Sequence, residues 1–354
     1  MPEQAKIEIA STVLGAGHPP VFWPDIDVYF RRDETQARRL IDAIAEAGGG
    51  FLKGAILHRA DIALPGCETS YFDHVEGKVR TREYRAIMEE MVVPLAQLSR
   101  ILGHARNAGL NLVLSVYDQE GVEFAVAEGA CAIKIPSSNI THKPLIGQAA
   151  RAGLPVVIDT GRSSWAEIAR AVGWASEVGI GERLLLQHSP PGPPADAKTF
   201  HMRMLPELAD CFDVPVGLSD HHPGLDMIPV AIALGACVIE KGLVATADEA
   251  GIDRAHALPA SRLKETVAVM QETFSALGQR RRPDAEVPAN VRDRMGCIAA
   301  RPLKAGQIVR ADDIAYAFPP EGLSAEYAEL LIGTKLVSDI PWGAPFPPSL
   351  IGKA

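Results

Sequence analysis

The sequence lacks the cysteine patterns that would indicate a disulfide framework or a thiolate zinc site. Its five cysteines are an odd number, they are widely spaced, and no two of them form a CxxC pair. Cys131 and Cys237 lie in apolar runs, so we predict that they fill the core. The other three are Cys67, Cys211 and Cys297.

Long apolar runs and long basic runs are also missing. No apolar stretch reaches the roughly 20 residues that a membrane-spanning helix needs, and the first residues, MPEQAKIEIAS, do not resemble a secretory signal. We therefore expect a cytoplasmic protein that binds no membrane. The 35 basic and 44 acidic residues give a net charge of −9, which disfavours nucleic acid as a partner. We interpret the short run Arg280-Arg281-Arg282 as the polar end of a helix.

Short apolar runs alternate with amphipathic stretches through most of the chain. Continuous apolar runs are typical of parallel strands that are buried on both faces. Eight strand-then-helix units over this length predict a TIM (β/α)8 barrel. A doubly wound open sheet is the alternative, but no GxGxxG or Walker-type loop supports it. The predicted strands are 21–23, 51–57, 110–116, 131–135, 154–159, 184–186, 214–218 and 237–239.

Local signals refine this prediction. Asp33 is a candidate N-cap of the first helix, and Pro94 should kink or break a later helical region. We predict a long polar loop over 58–84. The composition changes after Gln279, which predicts a barrel domain over 1–280, a linker over 281–294 and a small β-rich domain over 295–354. A segment of about 60 residues is marginal as an independent fold, so we expect it to dock on the barrel or on a partner subunit.

Two lysines lie in or at the end of apolar strands. A buried ammonium group is costly unless it has an anionic partner. Lys53 and Lys134 therefore either form inward salt bridges with a barrel carboxylate, such as Asp25 or Asp159, or bind a phosphate or carboxylate of a substrate. We favour the substrate interpretation, more strongly for Lys134 than for Lys53.

Other polar residues follow the strands, where barrel active sites lie. The group that most strongly indicates a functional site is Ser219-Asp220-His221-His222. Its side chains could hold a divalent metal ion or transfer protons, although such histidines also serve in packing. Glu240 and Lys241 are predicted to end the last strand, and they may simply pair with each other. The remaining candidates are Ser137, Ser138, Asn139, Thr160, Gly161, Gln187, His188 and Ser189.

Several segments are similar to those of the N-acetylneuraminate (sialic acid) synthase family and its spore-coat-polysaccharide relatives. They are GLSDHHPGLDMIPVAIALGACVIEK, FLKGAIL, AIKIPSSN and VVIDTG, and the tail from Met295 resembles the antifreeze-like SAF domain of those enzymes. The resemblance implies a reaction in which C3 of phosphoenolpyruvate attacks the aldehyde of an amino sugar and phosphate is released. It also implies a divalent metal ion, Mn²⁺ or Mg²⁺, that polarises the aldehyde.

The resemblance assigns roles to individual residues. Lys53, Lys134 and Ser137 would bind phosphoenolpyruvate, with Ser219 nearby, and Asp159 is placed with them as a substrate-binding residue. His221 matches the first metal-binding histidine. Asp25 stands near the family's glutamate that contacts the sugar and the incoming water.

The sequence departs from the family at several of these positions. The second metal-binding histidine is replaced by Gly242, and we expect His222 or His188 to take over its role. Asn139 stands in the place of a proton-transferring glutamate, and an amide cannot act as a general base. Phe318 replaces an SAF-domain arginine that reaches the sugar of the neighbouring subunit, which suggests a less polar or differently shaped acceptor in a domain-swapped homodimer. Val116 and Pro190 replace a threonine and an asparagine.

Three hypotheses follow for the function. The first is a phosphoenolpyruvate-dependent synthase that makes a sialic-acid-like 3-deoxy-ulosonic acid from an aldose or amino sugar. The second is a catalytically altered or inactive relative that acts as a binding or assembly protein. The third is an aldolase that uses Lys53 or Lys134 to form a Schiff base.

Overall fold

The computed structural model describes residues 5–27, 29–73, 75–192, 194–246, 254–278, 283 and 292–351. The chain divides into two compact units, Met1–Leu277 and Gly278–Ala354. The arginine run at 280–282 and most of the predicted linker lie outside the described residues, so the domain boundaries stay a prediction.

The first unit alternates strands and helices. Its first elements are β1 (Lys6–Ile9), β2 (Thr12–Gly15), β3 (Val21–Asp25), α1 (Glu34–Glu46), β4 (Phe51–Ile56), β5 (Glu68–Asp73), β6 (Lys78–Glu83), α2 (Tyr84–Met91), α3 (Leu95–Asn107), β7 (Asn111–Val116), α4 (Gln119–Ala127) and β8 (Ala132–Ile135). They continue with α5 (Lys143–Arg151), β9 (Val156–Asp159), α6 (Trp165–Glu177), β10 (Leu184–His188), α7 (Met204–Phe212), β11 (Val216–Ser219), α8 (Met227–Ala233), β12 (Ala236–Val244), β13 (Leu258–Pro259) and α9 (Leu263–Leu277).

Eight of these strands form a closed parallel barrel. Their order is β11-β10-β9-β8-β7-β4-β3-β12, and β12 pairs with β11 to close the ring. The predicted TIM barrel is therefore confirmed. The short apolar runs form these strands because both of their faces are covered, one by the helices and the other by the barrel interior.

The barrel interior changes from apolar to charged along the strand direction. Residues two apart in a strand face the same side, so each inward apolar residue is followed by an inward polar one, as in Phe51 and Lys53 or Val157 and Asp159. The apolar layer packs against the hairpin β1–β2, which the sequence analysis did not predict. The layer contains Trp23, Phe51, Val113, Ala132, Val157, Leu185 and Val238.

Local predictions had mixed outcomes. The side chain of Asp33 accepts hydrogen bonds from the backbone of Thr35 and Gln36 and caps α1 as predicted. The helical region is broken at Pro94, between α2 and α3. The predicted loop over 58–84 is wrong in part, because it contains the antiparallel hairpin β5–β6. These two strands are largely exposed and polar, so they carry no apolar face that a sequence pattern could reveal.

The described residues of the second unit form short strands, turns and short helical segments. It contains β14 (Gly296–Ala299), paired with β15 (Ile314–Ala317), and α10 (Ala328–Leu331). Its core is small and separate from that of the barrel, and it includes Cys297, Leu303, Val309, Leu331 and Phe346.

Candidate active site

The charged layer at the carboxyl ends of the barrel strands centres on Lys53 and Lys134. The ammonium group of Lys53 lies 2.9 Å from Asp25, 3.5 Å from Asp27 and 4.0 Å from Glu240. The ammonium group of Lys134 lies 2.5 Å from Glu240 and 3.1 Å from Asp159. Both lysines thus make the inward ion pairs that one of the two interpretations predicted, and Glu240 links them.

Four carboxyl groups share these two ammonium groups, and burial and the ammonium charges together shift the pKa of Asp25, Asp27 and Glu240. Burial raises the pKa of Asp25 to about 7 although Lys53 opposes the shift. Burial also acts to raise the pKa of Glu240, but Lys134 and Lys53 outweigh it and lower that pKa to about 2. Burial acts to lower the pKa of Lys53, yet the surrounding carboxylates raise it well above its usual value. The carboxyl group of Asp25 can therefore exchange a proton near neutral pH, and burial also raises the pKa of its neighbour Asp27.

The predicted pairing of Glu240 with Lys241 is wrong. Strand β12 continues to Val244, so these neighbours face opposite sides of the strand. Lys241 instead pairs with Asp220 at 2.9 Å, where both side chains are fully buried, and it also donates to the carbonyl group of His222. This pair supports the loop after β11 from outside the barrel interior.

The predicted metal ligands are not brought together as a set. Nδ1 of His222 accepts the N–H of Gly224 at 3.1 Å, and Nε2 of His188 lies 2.5 Å from the carbonyl oxygen of Phe200. His221 is closer to the charged layer, because its Nε2 lies 3.4 Å from the hydroxyl group of Ser219, which is 3.3 Å from Glu240. Within the described ranges, no three histidine, cysteine, aspartate or glutamate side chains are grouped so that they could hold a metal ion.

A histidine that the sequence analysis missed packs against His221. The ring centroids of His221 and His256 are 4.7 Å apart, and Nδ1 of each ring is buried without a hydrogen-bond partner. Burial lowers the pKa of both imidazoles, which keeps them neutral. Two neutral imidazoles fit a divalent transition-metal ion that takes its other ligands from substrate or water. No sequence signal identified His256, because it follows the last barrel strand in a segment that matches no motif.

Tyr29 explains how His256 is positioned. Its hydroxyl group lies 3.4 Å from Nε2 of His256, and its ring occupies the space that a side chain at Gly242 would need. A side chain at Gly242, where the resemblance led us to expect a second metal-binding histidine, would therefore collide with this tyrosine.

Two cavities open among the loops that follow the strands, and Ser138, Arg162 and Gly192 line both. The larger has a volume of about 660 Å³ and the smaller about 440 Å³. Further lining residues of the larger cavity include Asp27, Tyr71, Tyr84, Met88, Met91, Tyr117 and Asn139. Those of the smaller cavity include Ser137, Gly161, Ser163, Glu167, Ser189, Pro190 and His221.

The sequence-predicted residues thus fall into three places. Asp25, Lys53, Lys134, Asp159 and Ser219 meet in the charged layer. Ser137 and His221 border the smaller cavity, while Asn139 borders the larger one. Phe318 belongs to the second unit, where its side chain is exposed.

Comparison with known proteins identifies the family. The model of the NeuB family matches residues 40–282, and that of the SAF domain matches residues 294–351. The chain belongs to the NeuB family. This NeuB-family chain is 26% identical to the N,N'-diacetyllegionaminic acid synthase of Legionella pneumophila, with 68% of each protein covered. It is 25% identical to the spore coat polysaccharide biosynthesis protein SpsE of Bacillus subtilis, with 95% of each covered.

A solved structure supports the fold of this NeuB-family protein. The N-acetylneuraminic acid synthetase of Leptospira borgpetersenii superposes with a TM-score of 0.71 at 20% identity, over 80% of this chain and 94% of that one. The resemblance inferred from the motifs is therefore confirmed, and so is the order of a barrel followed by an SAF domain. Several of the relatives are named as synthases of sialic-acid type, which makes this chain a member of a family that contains such synthases. In the parts of the chain that the structure describes, no helix is long and apolar enough to cross a membrane.

Proposed function

We propose that this NeuB-family protein is a condensing synthase that joins phosphoenolpyruvate to an aldose or amino sugar and releases phosphate. The observation that carries the proposal is the convergence of Lys53, Lys134 and Ser219 on Glu240 at the mouth of the barrel. Ion-paired groups of this kind are pre-positioned for a charged substrate and need little rearrangement. The named activities of the relatives, including legionaminic acid synthase, support the same reaction class.

The proposed reaction balances with one molecule of water. A bond forms between C3 of phosphoenolpyruvate and the aldehyde carbon, and a water oxygen adds to C2. The C2–O bond to phosphate then breaks, which yields the 3-deoxy-ulosonic acid and inorganic phosphate. Asp25 is suited to take the proton of the attacking water, because its pKa of about 7 lies near the operating pH. Asn139 borders the larger cavity and can orient the acceptor but cannot accept the proton.

The proposed divalent ion, Mn²⁺ or Mg²⁺, would be held by His221 together with His256. When bound there, it would supply a Lewis acid for the aldehyde oxygen. His222 is not favoured as the second ligand, because its Nδ1 accepts a backbone N–H. His188 stays the alternative second ligand, because its Nε2 donates to a carbonyl group and its buried Nδ1 has no hydrogen-bond partner.

The acceptor is proposed to be less polar than an ordinary amino sugar. The larger cavity is lined by three tyrosines and two methionines, so it offers flat and adaptable apolar surface with a few hydroxyl groups. The exposed Phe318, which stands in place of an arginine, supports the same preference for a less polar acceptor.

A domain-swapped homodimer and a cytoplasmic location stay predictions. Light scattering of the purified protein would test the dimer.

A turnover assay tests the proposed function. The protein would be incubated with Mn²⁺, phosphoenolpyruvate and a panel of hexosamines, pentoses and more apolar N-acyl sugars. Phosphate release that depends on both substrates, with formation of a 3-deoxy-ulosonic acid, is the expected result. Absence of product with every acceptor, together with no binding of phosphoenolpyruvate, would refute it.

The two alternative hypotheses rest on specific features. A catalytically altered binding or assembly protein is favoured by Gly242 and Asn139, and it predicts no turnover and a co-purifying partner. A Schiff-base aldolase needs a lysine that loses its proton easily. The carboxylates that raise the pKa of Lys53 act against this role, and borohydride trapping with a keto acid would test it.

A further inference from the structure

Asp25 and Asp27 form a pair of neighbouring acids at the end of β3. The ammonium group of Lys53 lies 2.9 Å from the carboxyl group of Asp25 and 3.5 Å from that of Asp27. The backbone N–H of Asp27 donates to Oδ1 of Asp25 at 2.9 Å, so the turn after the strand holds the two acids side by side. Asp25 is suited to take the proton of the attacking water, and that step leaves the carboxyl group of Asp27 unused.

The two acids differ in what they face. Asp27 lines the larger cavity, and among the described residues that line this cavity it is the only aspartate or glutamate. Asp25 lines neither of the two cavities. Its side chain is 11% exposed, whereas that of Asp27 is 18% exposed. A molecule that fills the larger cavity therefore meets the carboxyl group of Asp27 rather than that of Asp25.

Burial and nearby charges favour a protonated Asp27 once the cavity is filled. Burial raises the pKa of Asp27, although the ammonium group of Lys53 opposes the shift. The titratable groups that face it are those of Lys53, Asp25, Glu240, Lys134 and Tyr117. A ligand that displaces water from the cavity removes further solvation from the carboxylate and so favours the protonated form. A protonated carboxyl group can donate a hydrogen bond to the oxygen of that ligand.

Other polar side chains of the larger cavity are poor proton donors. The amide group of Asn139 does not transfer protons, and the guanidinium group of Arg162 keeps its charge at any working pH. Burial raises the pKa of Tyr117 above its usual value, and the charge of Asp27 adds to the shift, so this phenol group retains its proton. An acceptor aldehyde needs a proton when its oxygen becomes a hydroxyl group, and Asp27 is the acid that this cavity offers.

We propose that Asp27 is the general acid of the acceptor site, which hydrogen-bonds the aldehyde oxygen and protonates it as the C–C bond forms. This inference rests on the proposed function and deepens it. The protons balance within the pair of acids. Asp27 gives its proton to the aldehyde oxygen, and Asp25 takes one proton from the water that adds to C2. That proton returns to Asp27 before the next turnover, and the second proton of the water leaves with the phosphate.

Binding of acceptor analogues that cannot react tests the site without turnover. N-acetylhexosaminitols and arabinitol carry a C1 hydroxyl group where the acceptor has its aldehyde oxygen. They would be titrated calorimetrically into the full-length protein, with phosphoenolpyruvate and without it. Asp27→Ala is expected to weaken the alditols by roughly tenfold or more, because their C1 hydroxyl group loses its partner. The same variant should not weaken phosphoenolpyruvate, since removal of a negative charge does not disfavour an anion.

Asp27→Asn separates proton donation from hydrogen bonding. The amide group can still hydrogen-bond the C1 hydroxyl group, so the affinity for the alditols should change little. Difference infrared spectra of the wild type should show the C=O band of a protonated carboxyl group that responds to the alditol, and Asp27→Asn should lack this band. Phosphate release in the synthase assay should fall by roughly 10²- to 10⁴-fold in Asp27→Asn. Asp27→Glu restores an acid and should recover part of the rate.

Glu89→Gln is the matched control. It removes an exposed carboxylate from α2, whose residues Met88 and Met91 line the larger cavity while Glu89 does not. The affinities, the infrared band and phosphate release should all be unchanged in this variant.

Four results would overturn the assignment of Asp27. They are no alditol binding by the wild type, unchanged alditol affinity in Asp27→Ala, a carboxyl band that survives in Asp27→Asn, and unchanged phosphate release in Asp27→Asn. Failure of the proposed function gives a different result. Alditol binding that depends on Asp27, in a protein that releases no phosphate, would refute the synthase reaction and its proton transfer but would retain Asp27 as the group that binds the sugar.

Discussion

The ring of Tyr29 fills the space beside Gly242 on the neighbouring barrel strand, so a side chain at position 242 would meet the phenol group. Tyr29 is itself buried, and its hydroxyl group contacts His256. Gly242 is therefore coupled to Tyr29 through shared space, and Tyr29 is coupled to His256 through this contact.

The first prediction concerns this coupling. Gly242→His should not restore a family-like metal site, because the new imidazole collides with Tyr29. Overpacking of this kind costs about 1–3 kcal/mol of unfolding free energy. Urea denaturation of the single variant should show that loss, and the double variant Tyr29→Ala, Gly242→His should recover part of it. If the double variant loses as much unfolding free energy as the two single variants together, the two residues do not compete for space.

The second prediction concerns the charged layer. Lys134→Met leaves the carboxylates of Glu240 and Asp159 buried without their closest cation. Removal of one partner from a buried ion pair costs roughly 3–5 kcal/mol. The matched control is Lys143→Met, which breaks an exposed pair with Glu177 and should cost at most about 1 kcal/mol. Denaturant unfolding measures the free energy of unfolding of both variants. Equal losses in the two would contradict the conclusion that the buried ion pairs of Lys134 stabilise the barrel.

The barrel and the inward lysines were predictable from sequence because both follow from periodicity. Apolar runs of strand length identify the strands, and a lysine inside such a run, as at Lys134, must face a partner. The partners were harder to assign, since Glu240 and Asp159 come from strands that are distant in sequence. The predicted ion pair between Glu240 and Lys241 was wrong, because adjacent side chains in a strand point to opposite faces of the sheet.

Features that depend on loop conformation were not predictable. His256 contacts His221, which follows a different barrel strand, and no spacing rule encodes that contact. Arg162 has a positive φ angle and lines both cavities, and neither property can be read from the sequence. The hairpin β5–β6 was missed for a related reason, since its strands are exposed and its stability depends on pairing rather than on an apolar face.

The third prediction is a pH dependence of stability that Asp25 causes. In the fold, burial raises its pKa from 3.8 to about 7, so the folded state binds more protons than the unfolded chain between these values. The free energy of unfolding contributed by this group therefore falls as the pH rises through that window. Asp25→Asn removes this contribution, so the stability of the variant relative to the wild type should increase as the pH rises from about 4 to about 7.

Denaturant unfolding at several pH values measures this effect. The matched control, Asp210→Asn, removes the same charge from an exposed position on α7 outside the charged layer, and it should not reproduce the pH-dependent gain of Asp25→Asn. A stability difference for Asp25→Asn that does not change with pH would mean that the carboxyl group ionises in the fold as it does in the unfolded chain.

The fourth prediction separates the candidate metal ligands. If His221 and His256 hold the ion, substitution of either by alanine should weaken Mn²⁺ binding by roughly tenfold or more. His222→Ala should leave the affinity unchanged, because Nδ1 of that ring already accepts the N–H of Gly224. Water-proton relaxation during Mn²⁺ titration reports binding directly, with no need for turnover. A loss of Mn²⁺ affinity in His222→Ala with none in His256→Ala would reverse the assignment and would place the second ligand in the loop after β11.

Tyr29→Phe refines the test, since it removes only the hydroxyl group 3.4 Å from Nε2 of His256. A moderate loss of affinity in that variant would indicate that Tyr29 orients the second imidazole and does not merely fill the space beside Gly242.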